Sequence, residues 1–158
     1  MNLQNLSISD CEQMKHIFIQ EQRCDGSKKD SIFPKLKTIK LSSMKRLSKI
    51  WSSGVRKDSF GKLDTLIIEK CDKLVHVFPS YLARIFRSLS SLRVTNCKSM
   101  EAIFDLDFEI NDAKDVTRLQ EVHLETLPKL EHVFVTLVAQ LVPHRLVHIE
   151  GRGYTPYI

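Results

Sequence analysis

Three histidines recur in similar local sequence. His16 precedes Ile-Phe, and His76 and His132 each precede Val-Phe. Imidazole is a common zinc ligand, so three such side chains raise the question of a metal site. Each ligating nitrogen would have to lie about 2.0–2.1 Å from the same ion. Whether the histidines can meet therefore depends on the structural elements that carry them.

Other residue groups match known chemical sites only in part. The acidic segment 105–112 is similar to a calcium loop, but it has Ile110 where the sharp turn needs glycine. It also has Val116 where a bidentate glutamate is needed. The chain contains no C-x-x-C pair, no phosphate-binding glycine loop, no G-x-S-x-G and no H-E-x-x-H. We therefore predict no catalytic residue, no metal ligand, no cofactor, no small-molecule substrate and no enzyme activity.

A repeated apolar pattern occupies most of the 158 residues. Apolar residues recur at relative positions 0, 3, 5, 8, 11, 14 and 15 in copies that start at 3, 36, 63, 89 and 119. Every one of these positions is apolar, in a chain that is only 42% hydrophobic, so chance alignment does not explain the pattern. Self-similarity at a period of about 20–50 residues indicates a repeat architecture.

Each copy of this template predicts a strand followed by a return segment. Positions 3 and 5 are two residues apart, which places their side chains on one face of a strand. Positions 8 to 15 return apolar groups along an opposite wall, and neighbouring copies must stack to bury both walls. His16, His76 and His132 all occupy position 13 of alternate copies. Stacked parallel strands are about 4.8 Å apart, so these histidines would lie in layers about 10 Å apart, too far to share a zinc ion.

The segments between the copies are predicted to lie on the convex side of a solenoid. Leu82, Ile85 and Phe86 have helical spacing after a Pro-Ser start, which predicts a short helix there. The other connecting segments are expected to be loops. An apolar residue three positions before a copy is expected to plug the convex side, and these residues are Phe33, Phe60, Phe86 and Val116.

A degraded sixth copy is predicted near 144–158, with Val147 and Ile149 in its strand. The whole chain, 1–158, is then expected to be a single elongated domain. Because Leu3 already occupies position 0, we expect the first copy to lack a polar cap of its own within this chain. We expect the chain to be the tail of a longer protein or a gene fragment.

Charge and targeting signals favour an intracellular protein that does not bind nucleic acid. The net charge is +5, but the lysines clustered in the second copy alternate with template positions and are expected on solvated faces. Residues 1–5 lack the features of a signal peptide, and the apolar run 133–142 is too short to span a membrane. We predict a cytoplasmic or nucleocytoplasmic location, where the cysteines stay reduced.

The strand residues between the template positions are predicted to line the concave face. Solenoids use this extended surface for binding. Charges of both signs, a histidine and an exposed isoleucine favour a protein partner. The candidate binding residues are Lys40, Ser42, Ile67, Glu69, Arg93, Thr95, His123 and Glu125.

The unit L-x-x-L-x-I-x-x-C-x-x-L-x-x-I-F, with Phe-Pro-Lys-Leu at 33–36, resembles the C-terminal leucine-rich repeats of plant disease-resistance proteins. These are the nucleotide-binding proteins of the coiled-coil type. The resemblance covers about residues 3–150 and is closest at 67–78 and 94–104. It implies an α/β leucine-rich-repeat solenoid, with a curved parallel β-sheet and with irregular loops and short helices on the convex side. Met44 and Leu127 depart from the usual cysteine at position 8, a conservative change.

The resemblance also implies a function. In that family, the repeats recognise pathogen effectors, directly or through a guarded host protein, and help to hold the nucleotide-binding domain inactive. That domain's own motifs do not occur here, so no nucleotide site is assigned to this chain. Two alternatives stay open: a leucine-rich-repeat substrate adaptor of a ubiquitin ligase, and a truncated receptor fragment without independent function.

Overall fold

The structure of the protein, a computed structural model, describes residues 2–18, 33–51, 59–79, 88–104, 119–131 and 147–150. Within these ranges the regular structure consists of β-strands, and no helix occurs. The strands are β1 (Asn5–Ser9), β2 (His16–Phe18), β3 (Thr38–Ser42), β4 (Lys49–Trp51), β5 (Thr65–Glu69), β6 (His76–Phe78), β7 (Ser91–Thr95), β8 (Ala102–Phe104), β9 (Glu121–Glu125) and β10 (Val147–Glu150).

The main sheet is a six-stranded parallel sheet in the order β1-β3-β5-β7-β9-β10. The first five of these strands cover template positions 2–6 of their copies, and each residue pairs with the same position in the next copy. The last strand, β10, extends this register, with Val147 opposite Val122 and Ile149 opposite Leu124. Parallel strands in chain order fit the predicted repeat solenoid. That residues 1–158 form a single domain stays a prediction.

The two faces of the main sheet differ as the template predicts. In copies two to five, the side chains at positions 3 and 5 are at most 5% exposed, and they form the core with the other template residues. In the first copy, Leu6 and Ile8 are only half-buried because β1 is the edge strand of the described sheet. The strand residues between them, such as Lys40 and Arg93, face away from the core and are exposed.

A second wall of short strands closes the core opposite the main sheet. Template positions 13–15 pair in parallel as β2 with β4 and as β6 with β8. The sequence predicted apolar residues on this wall but not strands. The short helix expected at Leu82, Ile85 and Phe86 lies outside the described residues, and so does the plug position Val116.

Aromatic rings form a column inside this second wall. Phe18 stacks on Trp51 with ring centroids 5.2 Å apart, and Trp51 stacks on Phe78 at 6.4 Å. Phe60, predicted as a plug of the convex side, is fully buried and packs edge-on against Phe18 and Trp51 of the second wall. Phe33 is half-buried beside Phe18. Such aromatic pairs contribute about 0.5–1.5 kcal/mol each beyond the area they bury, and they bind successive copies together.

Each copy turns at the end of its main strand through a residue in the left-handed conformation. Template position 7 has a φ of 53–56° in all five copies, although none of these residues is glycine. A left-handed residue other than glycine costs about 1–2 kcal/mol. In the first four copies its N–H donates to the carbonyl of the last strand residue in the next copy, at 2.9–3.1 Å. These hydrogen bonds offset the conformational cost of the left-handed residue and connect each copy to the next. The five residues are Asp10, Ser43, Lys70, Asn96 and Thr126.

Candidate recognition surface

The side of the main sheet that faces away from the core, called here the outer face, carries three columns of side chains. It is the face predicted to be concave. Because the strands pair without any shift in register, residues at the same template position line up across β1, β3, β5, β7 and β9. Position 4 contributes Ser7, Lys40, Ile67, Arg93 and His123, and position 6 contributes Ser9, Ser42, Glu69, Thr95 and Glu125.

The eight candidate residues therefore lie together on one surface. Lys40, Ile67, Arg93 and His123 follow one another in the position-4 column, and Ser42, Glu69, Thr95 and Glu125 do so in the position-6 column. Parallel strands are about 4.8 Å apart, which sets the spacing within each column.

Sequence reasoning missed the third column, at template position 2. Its members are exposed or half-buried and follow the same register as the other two. The alternation of strand side chains could have found them, since position 2 differs from position 4 by one strand period. These residues are Asn5, Thr38, Thr65, Ser91 and Glu121.

The carboxylates of β9 on the outer face form hydrogen bonds with neighbouring side chains. His123 Nε2 lies 3.2 Å from Glu125 Oε2. Ser91 Oγ donates a hydrogen bond of 3.2 Å to Glu121 Oε2 across the β7–β9 pair. Two carboxylates and an imidazole thus share the face of β9, and the hydrogen bonds reduce the freedom of both acids.

Ion pairs connect the copies at the edge where the main strands turn. Lys45 contacts Glu12 of the preceding copy, and Lys98 Nζ lies 2.7 Å from Asp72 Oδ2. Lys45 lowers the pKa of Glu12, first through its hydrogen bond and then through its positive charge. Because both side chains of the first pair are more than half exposed, the pair fixes an orientation and adds little stability.

The cysteines at template position 8 belong to the core. Cys71 and Cys97 are fully buried, and the Cys71 N–H donates to Cys97 Sγ at 3.4 Å. The Cys71 thiol beside it and burial together raise the pKa of Cys97. A thiol that stays protonated is a poor nucleophile. Cys97 therefore acts as a small apolar group, and its contact with the buried Cys71 links neighbouring turns.

His16 and His76 lie at template position 13 of the first and third copies, in separate layers of the second wall, as the repeat predicts. His16 is paired in register with Lys49, and His76 is paired with Ala102. His132 lies outside the described residues. Among the residues that the structure describes, no group of three or more His, Cys, Asp or Glu side chains could hold a metal ion.

A family model for the leucine-rich repeats of plant disease resistance proteins of the RPS2-like type matches residues 1–57 and 53–143. The chain belongs to this family. The resemblance inferred from the repeat unit is thereby confirmed. No curated protein and no solved structure matches the chain.

Membership of the RPS2-like repeat family accounts for the architecture described above. Leucine-rich-repeat regions of resistance proteins are generally non-catalytic and mediate protein–protein interaction. No helix in the described part of the chain has the length and hydropathy needed to cross a bilayer.

Proposed function

We propose that this chain is the non-catalytic protein-recognition module of an intracellular plant immune receptor. In this role it senses pathogen effectors, directly or through a guarded host protein, and contributes to autoinhibition. The partner for autoinhibition would be the nucleotide-binding domain of the same receptor, if the chain is part of a longer protein. We place this activity in the cytoplasm, or in both cytoplasm and nucleus.

The observation that carries the proposal is the ordered outer face in a chain of this family. Its side chains stand in columns at fixed register, on strands whose other face is anchored in the core. A surface built on such a support changes little on binding, so little conformational entropy is lost there. The columns offer cations, carboxylates, hydroxyls and one isoleucine, and charges of both signs at fixed positions favour a partner of complementary charge pattern.

A two-hybrid screen of the chain against pathogen effectors and host proteins would supply a partner, and two matched triple variants would then test the surface. The first variant changes Lys40, Arg93 and His123 of the outer face to alanine. We expect it to lose the interaction while keeping the thermal melting temperature, because these side chains lie outside the core.

The matched control changes exposed residues at template positions 10 and 13 to alanine, namely Lys49, Lys73 and His76. It removes a similar number of basic side chains, so a general effect of charge would appear in both variants. Loss of binding in the control alone, or unchanged binding in the outer-face variant, would contradict the proposal.

A further inference from the structure

The outer face has an apolar residue between two cations. Ile67 of β5 pairs in register with Lys40 of β3 and with Arg93 of β7, so the three side chains follow one another in one column. Lys40 and Arg93 are exposed, and Ile67 is half-buried. The other strand residues around Ile67 on this face are polar. A half-exposed isoleucine between two cations offers a partner an apolar contact with a charged contact on each side.

These two cations differ from those at the turn edge. Lys45 and Lys98 each form an ion pair with a carboxylate of the preceding copy. Within the part of the chain that the structure describes, Lys40 and Arg93 form neither a hydrogen bond nor an ion pair through their side chains. Their charges are therefore available to a partner without the loss of a contact to any described residue.

The carboxylates of the same face lie beside this column and not within it. Glu121 is held by Ser91, Glu125 by His123, and Glu69 lies 4.0 Å from the Lys70 ammonium. Glu121 and Glu125 of β9 limit the cationic part of the column to β3, β5 and β7, and Glu69 flanks that part beside Ile67. An anionic partner that continued over β9 would meet Glu121 and Glu125 on either side of its path.

We propose that the column Lys40–Ile67–Arg93 binds an acidic segment of a partner protein, with an apolar side chain over Ile67 and a carboxylate at each cation. This inference rests on the proposed function and adds the chemistry of the partner. Two strand spacings separate the backbones at Lys40 and Arg93 by about 9.6 Å. An extended peptide presents every second residue to one side, so acidic–x–apolar–x–acidic places three matching side chains on the column. The flexible lysine and arginine side chains accommodate the remaining difference in spacing.

The test begins with a selection of random peptides, displayed on phage, against the whole chain. Enriched sequences are then synthesised with a fluorescent label, and their Kd values are measured by anisotropy. We expect the enriched peptides to contain an apolar residue flanked by acidic ones. Lys40→Gln, Arg93→Gln and Ile67→Ser should each weaken binding about tenfold, the effect of one charge-assisted hydrogen bond or one buried apolar contact. Lys49→Gln, on the second wall, should leave the Kd unchanged.

The other outcomes separate this inference from the proposed function. Peptides without the acidic pattern that still depend on Lys40, Ile67 and Arg93 would overturn the acidic partner and leave the recognition face standing. Peptides indifferent to every outer-face substitution would overturn both. If no peptide is enriched on a chain with a cooperative melt, the acidic partner is likewise refuted.

Nucleic acid is the competing anion, and the same assay distinguishes it. A single-stranded DNA oligonucleotide should compete poorly with the selected peptide, because its phosphates match the cations but nothing in it requires Ile67. Equal competition by the oligonucleotide, with a Kd insensitive to Ile67→Ser, would overturn the inference in favour of a general anion surface. Melting curves of all variants must overlay that of the unaltered chain, which excludes unfolding as the cause of lost binding.

Discussion

Replacing Leu66 by alanine should reduce stability far more than replacing its neighbour Ile67 by alanine. Leu66 is fully buried and lies in register between Ile39 and Leu92, whereas Ile67 is on the outer face. Truncating Leu66 removes about three methylene equivalents at about 0.8 kcal/mol each, which is about 2.4 kcal/mol of transfer free energy. The cavity left between two anchored strands raises the loss to about 3–5 kcal/mol. For the half-buried Ile67 we expect about 0.5–1 kcal/mol.

The measurement is urea denaturation of the chain and both variants. Far-UV circular dichroism reports the whole array, and the fluorescence of Trp51, the single tryptophan, reports the second wall. Coincidence of the two curves shows whether the array unfolds as one unit, which is needed before free energies are compared.

A loss for Ile67→Ala equal to or greater than that for Leu66→Ala would refute the register of β5. A shift of one residue turns every side chain of a strand to the opposite face, so the two costs would exchange. The pair Leu92→Ala and Arg93→Ala repeats the test in β7 and controls for a local effect of one strand.

Three further predictions each concern one residue. Trp51→Phe should lower the unfolding free energy by about 1–3 kcal/mol, because the buried carbonyl of Val77 loses the indole N–H at 2.8 Å; equal urea midpoints would contradict this. Thr126→Asn should raise the free energy of unfolding by about 1 kcal/mol, since asparagine tolerates the left-handed conformation better than a β-branched residue; a lower melting temperature would argue against this turn geometry. Cys97, buried and with a raised pKa, should resist iodoacetamide in the folded chain while half-exposed Cys11 is alkylated; equal labelling of both by mass spectrometry would contradict the buried placement.

Much of the fold could be predicted because the apolar template has two periodicities: a two-residue alternation within each strand, and the recurrence of the whole template from copy to copy. Leu66 and Ile68 differ by two residues, so a strand must place both on one face and Ile67 on the other. The recurrence of that pattern in each copy then requires a stack of parallel strands. The eight candidate residues follow from the same alternation, and their shared surface is a consequence of pairing without a shift.

Other features could not be read from the pattern. The strands of the second wall, such as His16–Phe18, contain three residues, too few to show an alternation. The left-handed turns were missed because Lys70 and Thr126 stand where glycine would have signalled them. The pairing of Lys45 with Glu12 joins residues 33 positions apart, and no local pattern specifies that contact.

Which residues are buried, how the copies repeat and which family the repeat unit resembles all follow from the amino-acid sequence alone. Burial depends on which side chains are apolar and on how many residues separate them, and both are written in the sequence. Which charges of the described residues have an ion-pair partner becomes known only from the folded structure. Lys40 and Lys45 both look like surface lysines in the sequence, but stacking brings Glu12 to Lys45 and brings no carboxylate of the described residues to Lys40. Pairing depends on the distance between neighbouring layers, and that distance exists only once the copies have stacked.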